Sequence, residues 1–171
     1  NTCLADDQFD WVLYLNRPIT ALIECFTFNF VDSFYDLAIV RIMVILLISI
    51  SALLLTNILE KYKIPRFPAI CLAISAHTLP GFQNYVQMSN LPNVIAIITT
   101  FLSFIYLQRN FDISSNLRSY QRNLNYFKSF ILLSITLFTY PIFSFIFFVC
   151  LLIKYCSVTK IKLNEIFLEF T

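Results

Sequence analysis

Glycine is all but missing from this 171-residue chain, which has a single one, Gly81. No glycine-rich phosphate loop, no nucleophile elbow and no H-E-x-x-H pair can be read in it, so cytosolic nucleotide chemistry has no visible home. Histidine also occurs once, as His77. The five cysteines (Cys3, Cys25, Cys71, Cys150 and Cys156) are an odd count with neither CxxC nor Cys/His spacing, which argues against a cysteine-built metal site. Cys71 and Cys150 fall inside apolar runs and read as small hydrophobes. Charge is scarce too, at 13% of residues against about 25% in an ordinary soluble domain. The net charge of +2 comes from scattered basic residues, with no dense run to follow a phosphate backbone, so nucleic acid is not an expected partner.

What fills the chain is hydrocarbon: 58% hydrophobic residues and a mean hydropathy of +0.74. One soluble core of this size would leave much of that surface outside, whereas lipid removes the problem. The expected fold class is all-α, a polytopic transmembrane helix bundle with an external amphipathic interfacial helix. Residues 1–36 read as an external acidic loop and that interfacial helix. In it Leu15, Ile19, Leu22, Ile23, Phe26 and Phe30 recur at helical spacing, Arg17, Thr20, Glu24 and Thr27 lie elsewhere on the wheel, and Pro18 suits the first turn. Trp11 and Tyr14 are ring types that favour the headgroup level.

Residues 37–171 read as a transmembrane helical region with spans at about 37–59, 67–80, 92–108 and 129–153. Glu60, Lys61, Lys63 and Arg66 follow the first span, and Arg109, Arg118, Arg122 and Lys128 follow the third. The positive-inside rule therefore puts both loops in the cytoplasm and the N-terminal loop outside. Pro141 interrupts the charge-free stretch 129–153. One kinked span leaves Lys154, Lys160 and Lys162 on the wrong side, while two arms turning at Tyr140-Pro141 look too short to cross. The preferred expectation is the single kinked helix. Because no apolar h-region precedes the acidic residues, the chain reads as a fragment of a larger membrane domain whose first helix is absent.

Candidate chemistry begins with Asp6, Asp7 and Asp10, clustered on the outer side. Adjacent carboxylates repel, so one tends to keep its proton. A pair so poised suits a general base for an acceptor hydroxyl, or a divalent cation held by Asp6 or Asp7; the bland alternative is a solvated acidic loop. Arg17, at the start of the interfacial helix, could meet a lipid phosphate or merely snorkel among headgroups. Arg41 lies inside the first span, where a charge is costly, and Asp36 is the expected partner. His77, near the outer end of its helix, is more often a packing residue than a catalyst. Gln83, in an external corner, suits a hydroxyl-rich ligand or water. No regular pattern of intramembrane acids points to a proton-coupled transporter.

Ala5-Asp6-Asp7, Asn16-Arg17-Pro18, Leu79-Pro80-Gly81-Phe82-Gln83 and Tyr140-Pro141, in that order, resemble the membrane glycosyltransferases of the GT-C superfamily, in particular bacterial glucosyltransferase-like members. The resemblance covers most of this chain and only the first part of such an enzyme. It implies transfer of a sugar from a polyprenyl-phosphate donor to a cell-envelope glycan or lipid acceptor, on the outer face of a bacterial inner membrane. Asp7 or Asp6 would act on the acceptor or bind metal, and Arg17 would sit near the lipid phosphate. A non-catalytic multi-span subunit is the alternative, as is a fragment of a transporter or polysaccharide polymerase in which Arg41 and His77 would matter more.

Overall fold

The computed structural model describes residues 13–14, 17–29, 31, 33–78, 91–112 and 119–159, the side chains at 28, 111, 112, 119 and 156–159 excepted. Among the described residues the fold is all-α, with six helices: α1 (Pro18–Phe28), α2 (Phe34–Lys61), α3 (Arg66–Thr78), α4 (Leu91–Asp112), α5 (Ser119–Thr139) and α6 (Pro141–Thr159).

Each boundary has a local cause. Pro18 opens α1, where its missing N–H costs nothing. Ser33 and Asp36 form a capping box at the start of α2. The Asp36 backbone N–H donates to Ser33 Oγ at 3.3 Å, and the Ser33 N–H donates to Asp36 Oδ2 at 2.9 Å. The end of α2 is a Schellman turn, with Ile64 N–H donating to Leu59 O at 3.4 Å and Lys63 N–H to Glu60 O at 3.0 Å. That turn needs a left-handed residue. In a chain with almost no glycine the position falls to Lys63, at φ 63°.

Contacts set the helix directions. Ser51 meets His77, so α3 runs back along α2. Ser103 pairs with Ser129, Thr99 with Thr136 and Asn110 with Asn125, so α5 is antiparallel to α4. Along α6, Phe143 O lies 3.5 Å from Thr100 Oγ1 and Phe147 meets Phe104 edge-on, so α6 runs parallel to α4. The last two helices are therefore a hairpin turning at Tyr140. The single kinked helix over 129–153 does not form. The first arm begins at Ser119 rather than at residue 129, and the second carries Lys154 to the same end as Lys61, Arg66 and Arg122.

The central helix is α4, which touches α1, α2, α5 and α6. The apolar core joins Ile58 of α2, Ala96, Ile97, Phe101 and Phe104 of α4, and Phe143, Phe147 and Cys150 of α6. Elsewhere the usual apolar excess inside is absent. Buried residues divide evenly between apolar and polar, with Ser51, Asn93, Thr100, Ser103, Ser129, Thr136 and Thr139 inside. Phe34, Ile42, Leu46, Leu53, Phe67, Phe130, Phe145 and Leu152 point outward. Two helices are long and apolar enough to cross a membrane, Phe34–Lys61 and Leu91–Asn110. Their most apolar stretches differ in cover: 11% of that of α2 is buried, against 56% for α4.

Candidate functional site

The α5–α6 turn and the start of α1 meet at the end of the bundle opposite Lys61 and Arg122. Thr20 Oγ1 donates to the carbonyl of Thr139 at 2.6 Å, a buried bond between residues 119 apart in sequence. Beside it the Arg17 guanidinium stacks on the Tyr140 ring, 4.1 Å from its centroid, in cation–π geometry. Tyr140 in turn packs its ring on Phe143 at 5.3 Å. Tyr140 is held because its N–H caps α5 through Thr136 O at 2.8 Å, while Pro141 starts α6 without needing a donor.

One expectation for α1 is reversed. An interfacial helix would turn Arg17, Thr20 and Glu24 to water, but these residues face the bundle. Thr20 and Ala21 are buried and Glu24 is half-buried, while Leu22 and Phe26 are exposed. The reason is that Thr20 and Arg17 find partners at the turn that water would only have matched. Burial pushes the Glu24 carboxyl above its ordinary range, and the nearby Arg17 charge partly opposes the shift. Cys25, one residue on, is disulfide-bonded, and Cys71 and Cys150 are free.

The other sequence candidates do not gather here. His77 is 9% exposed and lies in the α2–α3 contact. Its Nδ1 is 2.8 Å from Ala73 O, and its Nε2 is 2.6 Å from the Oγ of Ser51, itself 1% exposed. A carbonyl can only accept, so Nδ1 carries the proton toward Ala73. The Ser–His pair packs α3 against α2.

Arg41 is exposed on α2. Asp36, the partner expected for it, closes the capping box, and a five-residue separation places the two about 140° apart on the helix. Asp6, Asp7, Asp10, Gln83 and Trp11 lie outside the described residues. Among the described residues no group of three or more His, Cys, Asp or Glu could hold a metal ion.

What the sequence reading missed is a polar seam between α4 and α5. Ser103 Oγ donates to Ser129 O at 2.8 Å, and Ser129 Oγ donates to Ser103 O at 2.9 Å. Thr99 and Thr136 hydroxyls lie 2.9 Å apart, and Asn125 Nδ2 donates to Asn110 Oδ1 at 3.0 Å. The available signal was the spacing of Asn125, Ser129, Thr136 and Thr139, small or polar residues on one helical stripe.

Comparison with known proteins gives no match: no family model, curated protein or solved structure is similar to this chain.

Proposed function

We propose that the chain is part of an integral membrane glycosyltransferase that moves a sugar from a polyprenyl-phosphate donor to a cell-envelope glycan or lipid acceptor. The observation that carries the reading is the stack of Arg17 on Tyr140. Two of the segments on which the family resemblance rests, far apart in sequence, share one site. Stacking uses the face of a guanidinium and leaves its in-plane N–H donors for phosphate oxygens.

Membrane residence is supported by the packing. Outward apolar side chains need lipid, and inward hydroxyls serve as interhelical contacts there. Orientation has two independent supports. Basic residues collect at one pole, which the positive-inside rule assigns to the cytoplasm. Cys25 lies at the other pole, and a disulfide there suits an oxidising, external compartment.

In the proposed reaction Asp6 or Asp7 takes the proton of the acceptor hydroxyl. That oxygen bonds to the anomeric carbon as the bond from carbon to the lipid phosphate breaks, inverting the centre. Arg17 holds the departing phosphate, whose charge grows as the bond breaks.

A second reading, a non-catalytic multi-span subunit, is favoured by the use of the one histidine for packing. A transporter pathway through Arg41 and His77 has little support, since the first is exposed and the second is enclosed by α2 and α3.

The test is sugar transfer from a polyprenyl-phosphate donor in membranes holding the protein. Loss of about 100-fold or more in Asp6→Asn or Asp7→Asn, at matched expression, is expected of a general base. Arg17→Ala should weaken donor use, and Arg17→Lys should recover part of it. Undiminished transfer in all of these variants removes the site, and no transfer by wild type leaves the subunit reading.

A further inference from the structure

At the basic pole a groove of about 550 Å³ opens between α2 and α4, within the roughly 300–1,000 Å³ of small-molecule sites. Its two walls carry the same sequence of chemistry. On α2, Leu54 and Ile58 are followed by Lys61; on α4, Leu102 and Ile105 are followed by Arg109. Each set recurs at three- and four-residue steps, so it lies on one stripe, and the parallel helices bring the two cations to the same end.

Among the described residues Glu60 is the one carboxylate lining the groove, and its Oε1 is 3.5 Å from Arg66 Nε. Lys61 reaches only a neutral acceptor, Gln108 Oε1, at 3.5 Å, and the Arg109 guanidinium lies 5.5 Å from the Tyr106 ring centroid. Among the described side chains neither cation is paired with a carboxylate. Two uncompensated positive charges thus sit below a cleft walled by aliphatic side chains.

We infer that this groove binds an anionic phospholipid of the cytoplasmic leaflet, its phosphate between Lys61 and Arg109 and its upper chain carbons against Leu54, Leu102 and Ile105. The complementarity is twofold, positive rim to negative headgroup and apolar wall to acyl chain, in the order a lipid presents them. The inference rests on the membrane orientation proposed above and is independent of the sugar-transfer chemistry.

The experiment reconstitutes the full chain into phosphatidylcholine vesicles containing one fifth phosphatidylglycerol. It measures the protein-associated fraction of spin-labelled phosphatidylglycerol against spin-labelled phosphatidylcholine. Selectivity for the anionic lipid should fall roughly fivefold for each cation removed, through Lys61→Gln and Arg109→Gln. Lys61→Arg with Arg109→Lys should retain it, which separates charge loss from misfolding.

Equal association of the two lipids, or selectivity that survives the double glutamine variant, overturns the inference. So does displacement of the label by chain-free glycerol phosphate, which would make the ligand a soluble phosphate. Failure of the protein to remain in vesicles after alkaline carbonate overturns the membrane reading itself. A protein retained but unselective overturns only the lipid site.

Discussion

The Ser103–Ser129 contact allows a quantitative test of what holds α4 against α5. Each hydroxyl has one proton, and each donates it to the other residue's backbone carbonyl, at 2.8 and 2.9 Å. Alanine at either position removes one bond and leaves the reciprocal one, because the accepting carbonyl is retained. Interhelical hydrogen bonds in membrane proteins average about 0.6 kcal/mol. Ser103→Ala and Ser129→Ala should each cost about that, and the double variant about twice it, with coupling under ~0.5 kcal/mol.

Ser129→Leu differs in kind. It forces three extra carbons into a contact where side-chain oxygen already touches backbone, adding about 1–3 kcal/mol of overpacking to the lost bonds. The assay is equilibrium unfolding of the purified protein in mixed micelles, titrated with SDS and followed by circular dichroism. A double alanine variant no worse than either single one would show that the bond between the two hydroxyls is the operative one. A Ser129→Leu variant as stable as Ser129→Ala would refute the close approach of the helices.

The hairpin makes Lys63→Cys and Lys154→Cys, in a background with the other cysteines removed, react with an impermeant thiol reagent from one side of the membrane. Asn29→Cys should react from the other, and labelling of Lys154→Cys together with Asn29→Cys would restore the single kinked span. Glu24 has its pKa raised in the folded state above the ordinary 4.5, so folding binds its proton. Its contribution to stability is therefore full below about pH 4.5 and is lost as pH rises through the elevated value. Glu24→Gln should raise stability at pH 7 and flatten that dependence in thermal melts at pH 4 and 7. Lys63→Gly should stabilise by about 1 kcal/mol in the SDS titration, by relieving a left-handed residue that carries a Cβ. An unchanged midpoint would dispose of the turn argument.

Helix identity was legible where hydropathy alone carries the signal. Residues 37–59 and 92–108 anticipate α2 and α4 because a run of Ile, Leu and Val bounded by Glu60-Lys61 or Gln108-Arg109 has few other uses. The start of α5 was not legible by that measure. Gln121, Arg122, Asn123, Asn125 and Lys128 read as a loop, yet the charged members are exposed while Asn125 and Ser129 turn to α4. A hydropathy reading averages over the faces of a helix, and here the faces differ more than the mean. The same averaging hid the docking of α1, whose inward residues are Thr20, Ala21 and Glu24 rather than its leucines and phenylalanines. For the candidate site, Arg17 and Tyr140 could be singled out separately, but their meeting depends on α5 and α6 being a hairpin.

That dependence ties the proposed chemistry to the fold. In the lipid setting proposed above there is no hydrophobic gain in pressing one apolar helix on another, so polar contacts and close packing would set where α1 sits. Thr20 to Thr139 and Arg17 to Tyr140 are such contacts, and both need the chain to turn at residue 140. On the proposed reading Arg17 has two roles that do not compete. Its guanidinium face stacks on Tyr140, and in the proposed reaction its edge would meet the phosphate. The consequence is separable by substitution: Tyr140→Phe keeps a π face and should preserve both docking and donor use, whereas Tyr140→Leu should lose about 0.5–1 kcal/mol of docking and weaken donor binding with it. Donor use unaffected by Tyr140→Leu, with α1 displaced, would show that the stack positions nothing.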